Sequence, residues 1–256
     1  PYNQDVLISS LAKANKNLAV VLITGNAVSM PWVKDVPSIL QTWYLGSEAG
    51  NALASVLAGD ANPSGKLPFS FPVKLEDNGA HKLGEFPGNK EEIAAGKGKD
   101  KNNPINIKYN EGIFVGYRWH DTKNIKPLFS FGHGLSYTTF EFGKVKADKT
   151  KISKDDKITF TVSVKNTGNR EGAEVVQLYI SDLKSSLPRP TKELKGFEKV
   201  NLKPGETKEV SITVDKSALS FFDPVKHDWV AEPGDFEALI GNSSSDIKTK
   251  LKFSLQ

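Results

Sequence analysis

The period of the hydrophobic pattern changes part-way along the chain, and this change restricts the fold more than any other feature. In the first part, residues 18–24 and 38–44 are short apolar runs with little alternation. Such runs are typical of strands covered on both faces, as in a parallel sheet flanked by helices. Residues 4–15, with Asn3 as the expected N-cap, and residues 49–59 show helical spacing instead. Together these segments predict an α/β layer. The apolar face of the first helix is expected to contain Val6, Leu7, Leu11 and Ala14.

The second part of the chain has a period of two. Residues 157–165 alternate strictly, which places Ile158, Phe160, Val162 and Val164 on one face of a strand. Further strands are predicted at residues 173–181, 194–200, 207–214, 235–240 and 247–255. About seven short strands without intervening helices indicate a two-sheet antiparallel sandwich.

These two patterns divide the chain near Ser136. Residues 1–135 are predicted to form the α/β part, and residues 136–256 the β-sandwich. Residues 74–106 are rich in Lys, Gly, Asn and Glu, so we expect a surface excursion with little regular structure. The fold class predicted is therefore α/β followed by all-β.

Composition excludes several classes of function. The 256 residues include no cysteine, which removes disulfides, thiolate metal sites and cysteine nucleophiles together. The net charge of +4 comes almost entirely from Lys mixed with acidic residues, a pattern that does not favour a nucleic-acid partner. No apolar run is long enough for a membrane helix, so no membrane partner is expected. The chain opens at Pro1 and its only methionine is Met30, which suggests the later portion of a longer protein.

The motifs for common cofactors and nucleophiles are missing. The turn after residues 18–24 carries one glycine where a dinucleotide or phosphate loop requires several, and no Gly-x-Ser-x-Gly pentapeptide occurs. The four histidines are scattered, so neither a metal nor any other cofactor is expected. Gly132-His133-Gly134 is interpreted as a tight turn, with His133 in a structural role.

Individual side chains remain open to two interpretations. Paired carboxylates could come from Glu48, Asp60, Glu111 and Asp121, but spacing alone selects no pair. The structural interpretation makes Glu48 a helix-start carboxylate and Glu111 a buried carboxylate paired with a cation such as Arg118. The tryptophans that could either stack on a sugar or fill the core are Trp32, Trp43 and Trp119.

Whole motifs resemble the carboxy-terminal half of a family 3 glycoside hydrolase of the β-glucosidase type. They occur in family order over nearly the entire chain. The matching segments are Leu-Ile-Thr-Gly-Asn-Ala-Val-Ser-Met-Pro-Trp (22–32), Trp-Tyr-Leu-Gly-Ser-Glu-Ala-Gly-Asn-Ala (43–52), Leu-Ala-Gly-Asp-Ala-Asn-Pro-Ser-Gly-Lys-Leu-Pro (57–68), Tyr-Asn-Glu-Gly-Ile-Phe-Val-Gly-Tyr-Arg (109–118), Phe-Gly-His-Gly-Leu-Ser-Tyr-Thr (131–138), Lys-Asn-Thr-Gly (165–168) and Glu-Leu-Lys-Gly-Phe-Glu-Lys-Val (193–200).

The resemblance implies an amino-terminal (β/α)8-like barrel, then an α/β sandwich, then a fibronectin type III-like domain. Residues 1–135 would be the later part of the α/β sandwich, and the barrel would be this chain's partner within the same protein. The family's nucleophilic Asp lies on the barrel, and its acid/base Glu would lie a few residues before Pro1. The resemblance therefore assigns no catalytic residue to this chain. It implies a retaining, exo-acting enzyme for oligosaccharides or aryl glucosides, exported to the periplasm or secreted, and leaves a homodimer open.

Within these motifs, Glu48, Glu111, Arg118 and His133 are expected to be structural, while Trp43 and Trp119 are candidates for the substrate rim. Two other functions remain. The chain could be a carbohydrate-binding or structural module without hydrolytic activity. The family also includes β-xylosidases and N-acetylglucosaminidases, so the sugar specificity stays open.

Overall fold

The computed structural model describes residues 3–98 and 102–256. Its α-helices are α1 (Gln4–Ala14), α2 (Ala49–Ala58), α3 (Gly79–Lys82), α4 (Lys90–Ala94) and α5 (Tyr117–Thr122). Its strands are β1 (Ala19–Leu22), β2 (Ser38–Gln41), β3 (Phe140–Phe142), β4 (Lys146–Ala147), β5 (Lys151–Ile152), β6 (Lys157–Asn166), β7 (Gly172–Asp182), β8 (Glu193–Leu202), β9 (Thr207–Asp215), β10 (Phe221–Asp223), β11 (Asp228–Val230), β12 (Gly234–Gly241) and β13 (Ile247–Leu255). The predicted boundary near Ser136 lies between α5 and β3.

The α/β part is built on a parallel pair of strands, as predicted. β1 and β2 pair in register from Ala19 opposite Ser38 to Leu22 opposite Gln41. A small core lies beside them, in which Trp32 is buried and donates from Nε1 to the Asp5 carboxylate of α1 at 2.8 Å. This bond holds the first helix against the core.

Three local predictions for this part are wrong. β1 and β2 are only half-buried, because the described residues cover them incompletely. The apolar face of α1 is largely uncovered too, with Val6, Leu7 and Leu11 exposed. Asn3 precedes α1 with left-handed backbone, and its side chain makes no capping hydrogen bond.

The second part is a β-sandwich, as predicted. One sheet has the order β5-β13-β12-β7-β8, and the other has β3-β6-β4 with β9 also paired to β6. Pairing is antiparallel except between β13 and β5. The inward side chains of β6 are at most 1% exposed: Ile158, Phe160, Val162 and Val164. Each such burial stabilises the fold by about 1.5–3 kcal/mol.

The opposite face of β6 is polar. Thr159 and Thr161 share hydrogen bonds with Thr213 and Ser211 of β9, at 2.9 and 2.8 Å. Cross-strand hydroxyl pairs of this kind add a few tenths of a kcal/mol or more to a sheet. The strict alternation in the sequence therefore corresponds to one buried face and one face of paired hydroxyl groups.

Residues 74–106 are more ordered than their composition indicates. They contain α3, α4 and a 3-10 turn at Leu75–Asp77, while residues 99–101 of the segment lie outside the described part of the chain. The Asn89 side chain caps α4 by accepting from the Glu91 and Glu92 amides at 2.8 and 3.2 Å. Hydrogen bonds from the Lys97 side chain and from Asn106 lower the pKa of Glu92 to about 2. Local polar contacts thus organise a segment that has few apolar residues.

A polar junction joins the two parts. Lys66 of the α/β part lies 2.7 Å from the carboxylate of Glu174 on β7 and also donates to the Gly134 carbonyl at 3.0 Å. The Gln177 side chain donates to the Gly132 carbonyl at 3.2 Å. The turn at residues 131–138 therefore makes hydrogen bonds to residues before it and to residues of the β-sandwich. None of the helices in residues 3–98 and 102–256 is long and apolar enough to cross a bilayer.

Candidate functional site

Trp43 lies at the end of β2 in an aromatic cluster. Its backbone has a positive φ of 56°, an uncommon conformation for a bulky residue. The indole contacts Phe69 and Phe71 edge-on, with ring centroids 5.3 and 6.1 Å away. It is half-buried, and the neighbouring Tyr44 is exposed. The cluster fixes the Trp43 ring while leaving part of it accessible. A role for Trp43 at the rim of the substrate site stays a prediction.

Trp119 is placed differently from the expectation for a substrate rim. Only 5% of it is exposed, and its Nε1 donates to the Asp77 carbonyl at 3.0 Å. The ring packs against Gly79, where a Cβ would come within 3.0 Å of it, and Lys123 lies 5.4 Å from its centroid. A sugar cannot stack on a ring that protein atoms already cover. We therefore correct the expectation: Trp119 is a core side chain in this structure.

Glu111 is a buried carboxylate of the α/β part. It is 9% exposed, and within the described residues its Oε2 has no hydrogen-bond partner. Its Cβ faces Gly79. If residue 79 carried a side chain, the Cβ of that residue would lie 3.4 Å from the Glu111 Cβ. Arg118 does not pair with it, so that expectation was wrong. A buried carboxylate oxygen without a partner is energetically unfavourable.

Arg118 belongs instead to an ion-pair cluster on the sandwich. Its Nη2 lies 3.3 Å from Glu193, whose other oxygen accepts from Arg189 at 2.6 Å and lies 3.6 Å from Lys195. Burial alone would raise the pKa of Glu193, but the Arg189 hydrogen bond and the three cations lower it overall. Burial, only partly offset by Glu193, lowers the pKa of Lys195. Arg189 also binds Asp182 at 3.1 Å, so these charges are engaged with one another.

Glu48 and His133 have surroundings that fit structural roles. Glu48 is exposed, ends a 3-10 turn before α2 and accepts from Asn51 at 2.6 Å. His133 stacks on Phe129 at 5.4 Å, and its carbonyl accepts from the Leu67 amide at 2.8 Å. Burial, followed by the charge of Lys66, lowers the pKa of His133, while Asp246 opposes this shift.

The other carboxylates considered from the sequence do not complete a reactive pair. Asp121 lies 2.6 Å from the Lys192 ammonium, and Asp60 is exposed. Among the described residues, no group of three or more His, Asp or Glu side chains is arranged to hold a metal ion. The site thus offers structural ion pairs and an aromatic cluster.

Sequence reasoning missed the residues that organise this region. Lys192 and Glu174 each pair with a group distant in sequence, and no local pattern reports such pairs. Arg189 pairs with Asp182 and Glu193, which lie only a few residues away from it. The sequence did offer a signal for Arg189. The chain has only three arginines, and Arg is the preferred cation for buried ion pairs.

Comparison with protein families agrees with this architecture. Residues 1–117 match the model of the glycosyl hydrolase family 3 C-terminal domain, and residues 174–244 match that of the fibronectin type III-like domain. The chain belongs to the C-terminal part of glycoside hydrolase family 3. Both models lie in the order that the sequence motifs predicted, so the resemblance and the predicted fold class are confirmed.

Relatives of this family 3 chain are similar over nearly its full length. It is 52% identical to beta-glucosidase BoGH3A of Bacteroides ovatus, covering 99% of this chain and 32% of the relative. It is 48% identical to thermostable beta-glucosidase B of Acetivibrio thermocellus, covering 98% of this chain and 31% of that protein. The chain therefore spans about a third of the length of these curated relatives.

Solved structures give the same result for the fold. The structure of beta-glucosidase from Kluyveromyces marxianus in complex with glucose superimposes with a TM-score of 0.86 at 42% identity, covering all of this chain and 29% of that one. The structure of DesR, a beta-glucosidase from Streptomyces venezuelae in complex with D-glucose, superimposes with a TM-score of 0.88 at 38% identity. The match covers 99% of this chain and 31% of that one.

Proposed function

We propose that this chain is the non-barrel portion of a retaining, exo-acting β-glucosidase. The observation that carries the proposal is the alignment of almost the whole chain with proteins named beta-glucosidases at 48–52% identity. In the whole enzyme, a terminal β-D-glucosyl residue of an oligosaccharide or aryl glucoside would be released. The chain itself would support that reaction without performing it.

The chemistry explains this division of labour. Retaining hydrolysis requires one carboxylate to attack the anomeric carbon and a second, about 5–5.5 Å away, to act as acid and then as base. Of the carboxylates considered from the sequence, Asp121 is paired with Lys192, Glu48 and Asp60 are exposed, and Glu111 is buried. Following the family resemblance, the proposal assigns the nucleophilic Asp to an amino-terminal barrel and the acid/base Glu to residues preceding Pro1.

Exposed apolar groups support a partner domain in the same protein. Val6, Leu7 and Leu11 form an uncovered stripe on α1, and Ile113 and Val115 are exposed after Glu111. Contiguous apolar surface of this kind usually marks an interaction site. The proposal assigns these faces to the barrel and to the rest of the α/β sandwich, which would cover them and position the acid/base loop.

An activity assay on the whole protein tests the proposal. The full-length protein is purified and given p-nitrophenyl β-D-glucoside, β-D-xyloside and N-acetyl-β-D-glucosaminide under identical conditions. We expect the glucoside to be cleaved fastest, with β-glucose as the first product seen by NMR. Faster cleavage of the xyloside or the glucosaminide would show that the enzyme has that sugar specificity and is not a β-glucosidase. Absence of all three activities would favour a binding module.

Export of the whole protein to the periplasm or outside the cell is part of the same proposal and rests on the family resemblance. Fractionation of the source cells tests it, because the protein should accompany periplasmic or extracellular markers. Size-exclusion chromatography with light scattering of the full-length protein tests the homodimer, which should elute at twice the monomer mass.

A further inference from the structure

Two sequence motifs that the proposed function does not use contact each other in the structure. The motif at residues 109–118 ends on helix α5, and the motif at residues 193–200 begins strand β8. Three consecutive residues at this end of β8 each bind a residue of α5. We call them the β8 clamp and define it as Lys192, Glu193 and Leu194.

Two contacts of the β8 clamp are ion pairs. The Lys192 ammonium lies 2.6 Å from the Asp121 carboxylate, and these side chains are only 11% and 17% exposed. The Glu193 carboxylate lies 3.3 Å from Arg118 Nη2. Exposed ion pairs contribute little to stability, but breaking a buried pair leaves a charge without compensation. The pair of Lys192 and Asp121 is largely buried, so its loss should be felt by α5.

The third contact of the clamp comes from the backbone. The register between β7 and β8 shifts between Leu178 and Tyr179, so that Lys195 is an extra residue in β8. Irregularities of this kind bend a strand and re-aim its groups. Beside the shift, the Leu194 amide donates to the Tyr117 hydroxyl at 2.8 Å. The start of β8 is thus shaped to meet α5.

Helix α5 depends on such contacts because it is short. It has six residues, whereas an isolated helix of fewer than about 12–15 residues is marginal in water. On the side of the α/β part, Trp119 holds the helix by donating from Nε1 to the Asp77 carbonyl at 3.0 Å. On the side of the sandwich, the β8 clamp binds three of the six residues.

The residues before α5 depend on the helix in turn. Residues 109–116 contain only turns and irregular backbone. The Gly112 amide donates to the Tyr109 carbonyl at 3.0 Å, and the Trp119 amide of α5 donates to the Gly116 carbonyl at 3.1 Å. One end of this segment is therefore anchored on α5.

We infer that the residues of the β8 clamp are positioning residues, which fix the conformation of residues 109–116 by binding α5. The β-sandwich thus acts on the α/β part through one short helix and is more than an appended module. Ile113 and Val115, whose exposed side chains were assigned above to the barrel, lie on the positioned segment. That consequence rests on the proposed function, whereas the positioning itself does not.

Hydrogen–deuterium exchange of the 256-residue chain, followed by mass spectrometry, tests the inference. Lys192→Met should speed exchange in residues 109–122 by about tenfold or more, because local opening no longer breaks the buried pair. Exchange in β6 should stay as in the parent. Lys192→Arg retains the charge and should restore most of the protection. Lys199→Met, at an exposed lysine on the same strand, is the matched control and should change neither region.

A second measurement separates positioning from a general loss of stability. The indole N–H of Trp119 reports the place of α5, because it donates to the Asp77 carbonyl. Its assigned NMR signal should shift in Lys192→Met and stay in place in Lys199→Met. A variant that only unfolds more readily would leave the signals of the folded state unchanged. The indole signal of Trp32, which is bonded to Asp5, should not move in either variant.

Three outcomes would overturn the inference. The first is unchanged exchange in residues 109–122 of Lys192→Met. The second is an equal increase in β6, since the ion pair would then stabilise the whole fold. The third is a Trp119 indole signal that keeps its position. Neither measurement uses a substrate, so a whole protein without β-glucosidase activity would leave the result as it is.

Discussion

Replacing Lys66 by Met tests whether the buried ion pair stabilises the junction between the two parts. The Lys66 and Glu174 side chains are 13% and 7% exposed and lie 2.7 Å apart. Removing one partner of a buried pair costs about 3–5 kcal/mol, because the other charge stays buried without compensation. Glu174 keeps a hydrogen bond from the Val175 amide at 2.7 Å, so we expect the lower limit, about 3 kcal/mol.

Thermal unfolding measures this loss directly. With an unfolding entropy of about 2.1 cal/mol/K per residue, about 3 kcal/mol lowers the Tm of this chain by about 6 °C. The double variant Lys66→Met, Glu174→Leu should recover most of the loss, since a hydrophobic replacement of a buried pair is often neutral. Lys149→Met is the control: it breaks the more exposed pair with Asp156, at 2.8 Å, and should leave the Tm unchanged.

The reasoning is refuted if Lys66→Met lowers the Tm by less than about 2 °C. It is also refuted if the double variant loses the sum of the two single losses, because the two side chains would then act independently.

Three further predictions concern the cluster and turn that hold the same junction. Arg189→Met leaves Asp182 and Glu193 buried without their shared cation, so the urea-derived free energy of unfolding should fall by about 3 kcal/mol or more; a fall below about 1 kcal/mol would contradict this. Gly132→Ala should lower the Tm more than Gly205→Ala, because both glycines have positive φ but only at Gly132 would a Cβ collide with the Gln177 side chain; equal losses would count against it. His133→Phe should abolish a pH dependence of stability. The folded-state pKa of His133 is lowered, so the unfolded chain binds a proton first, and the free energy of unfolding decreases as pH falls below about 6.5 towards that folded-state pKa. If the Tm changes with pH between 5 and 8 in the same way for parent and variant, His133 does not titrate this way.

The regular elements were predictable wherever many residues repeat one period. The ten residues of β6 alternate strictly, and the sequence predicted both its extent and its buried face. α2 was predictable for a similar reason, with Gly59 in left-handed backbone at its end. Very short strands were not predictable, because the two or three residues of β4, β5, β10 and β11 cannot display a period.

The environment of single side chains was much harder to predict. The motif around Glu111 and Arg118 is local, but the partner of Arg118 is Glu193, which the fold brings from far along the chain. Trp119 and Trp43 are both tryptophans, and the sequence does not distinguish their surroundings. Only the structure shows that Gly79 packs against the Trp119 ring and helps to cover it. The uncovered face of α1 was predicted as a core face because periodicity reports that a side is apolar, not what covers it.

The measurement that tests the account most directly is the rate at which the purified 256-residue chain cleaves p-nitrophenyl β-D-glucoside at high protein concentration. If the reacting carboxylates lie outside these residues, release of p-nitrophenol should equal that of buffer alone, and Glu111→Gln should change nothing. Turnover that the Glu111→Gln variant loses would show that the chain carries its own catalytic carboxylate, and the account would be wrong.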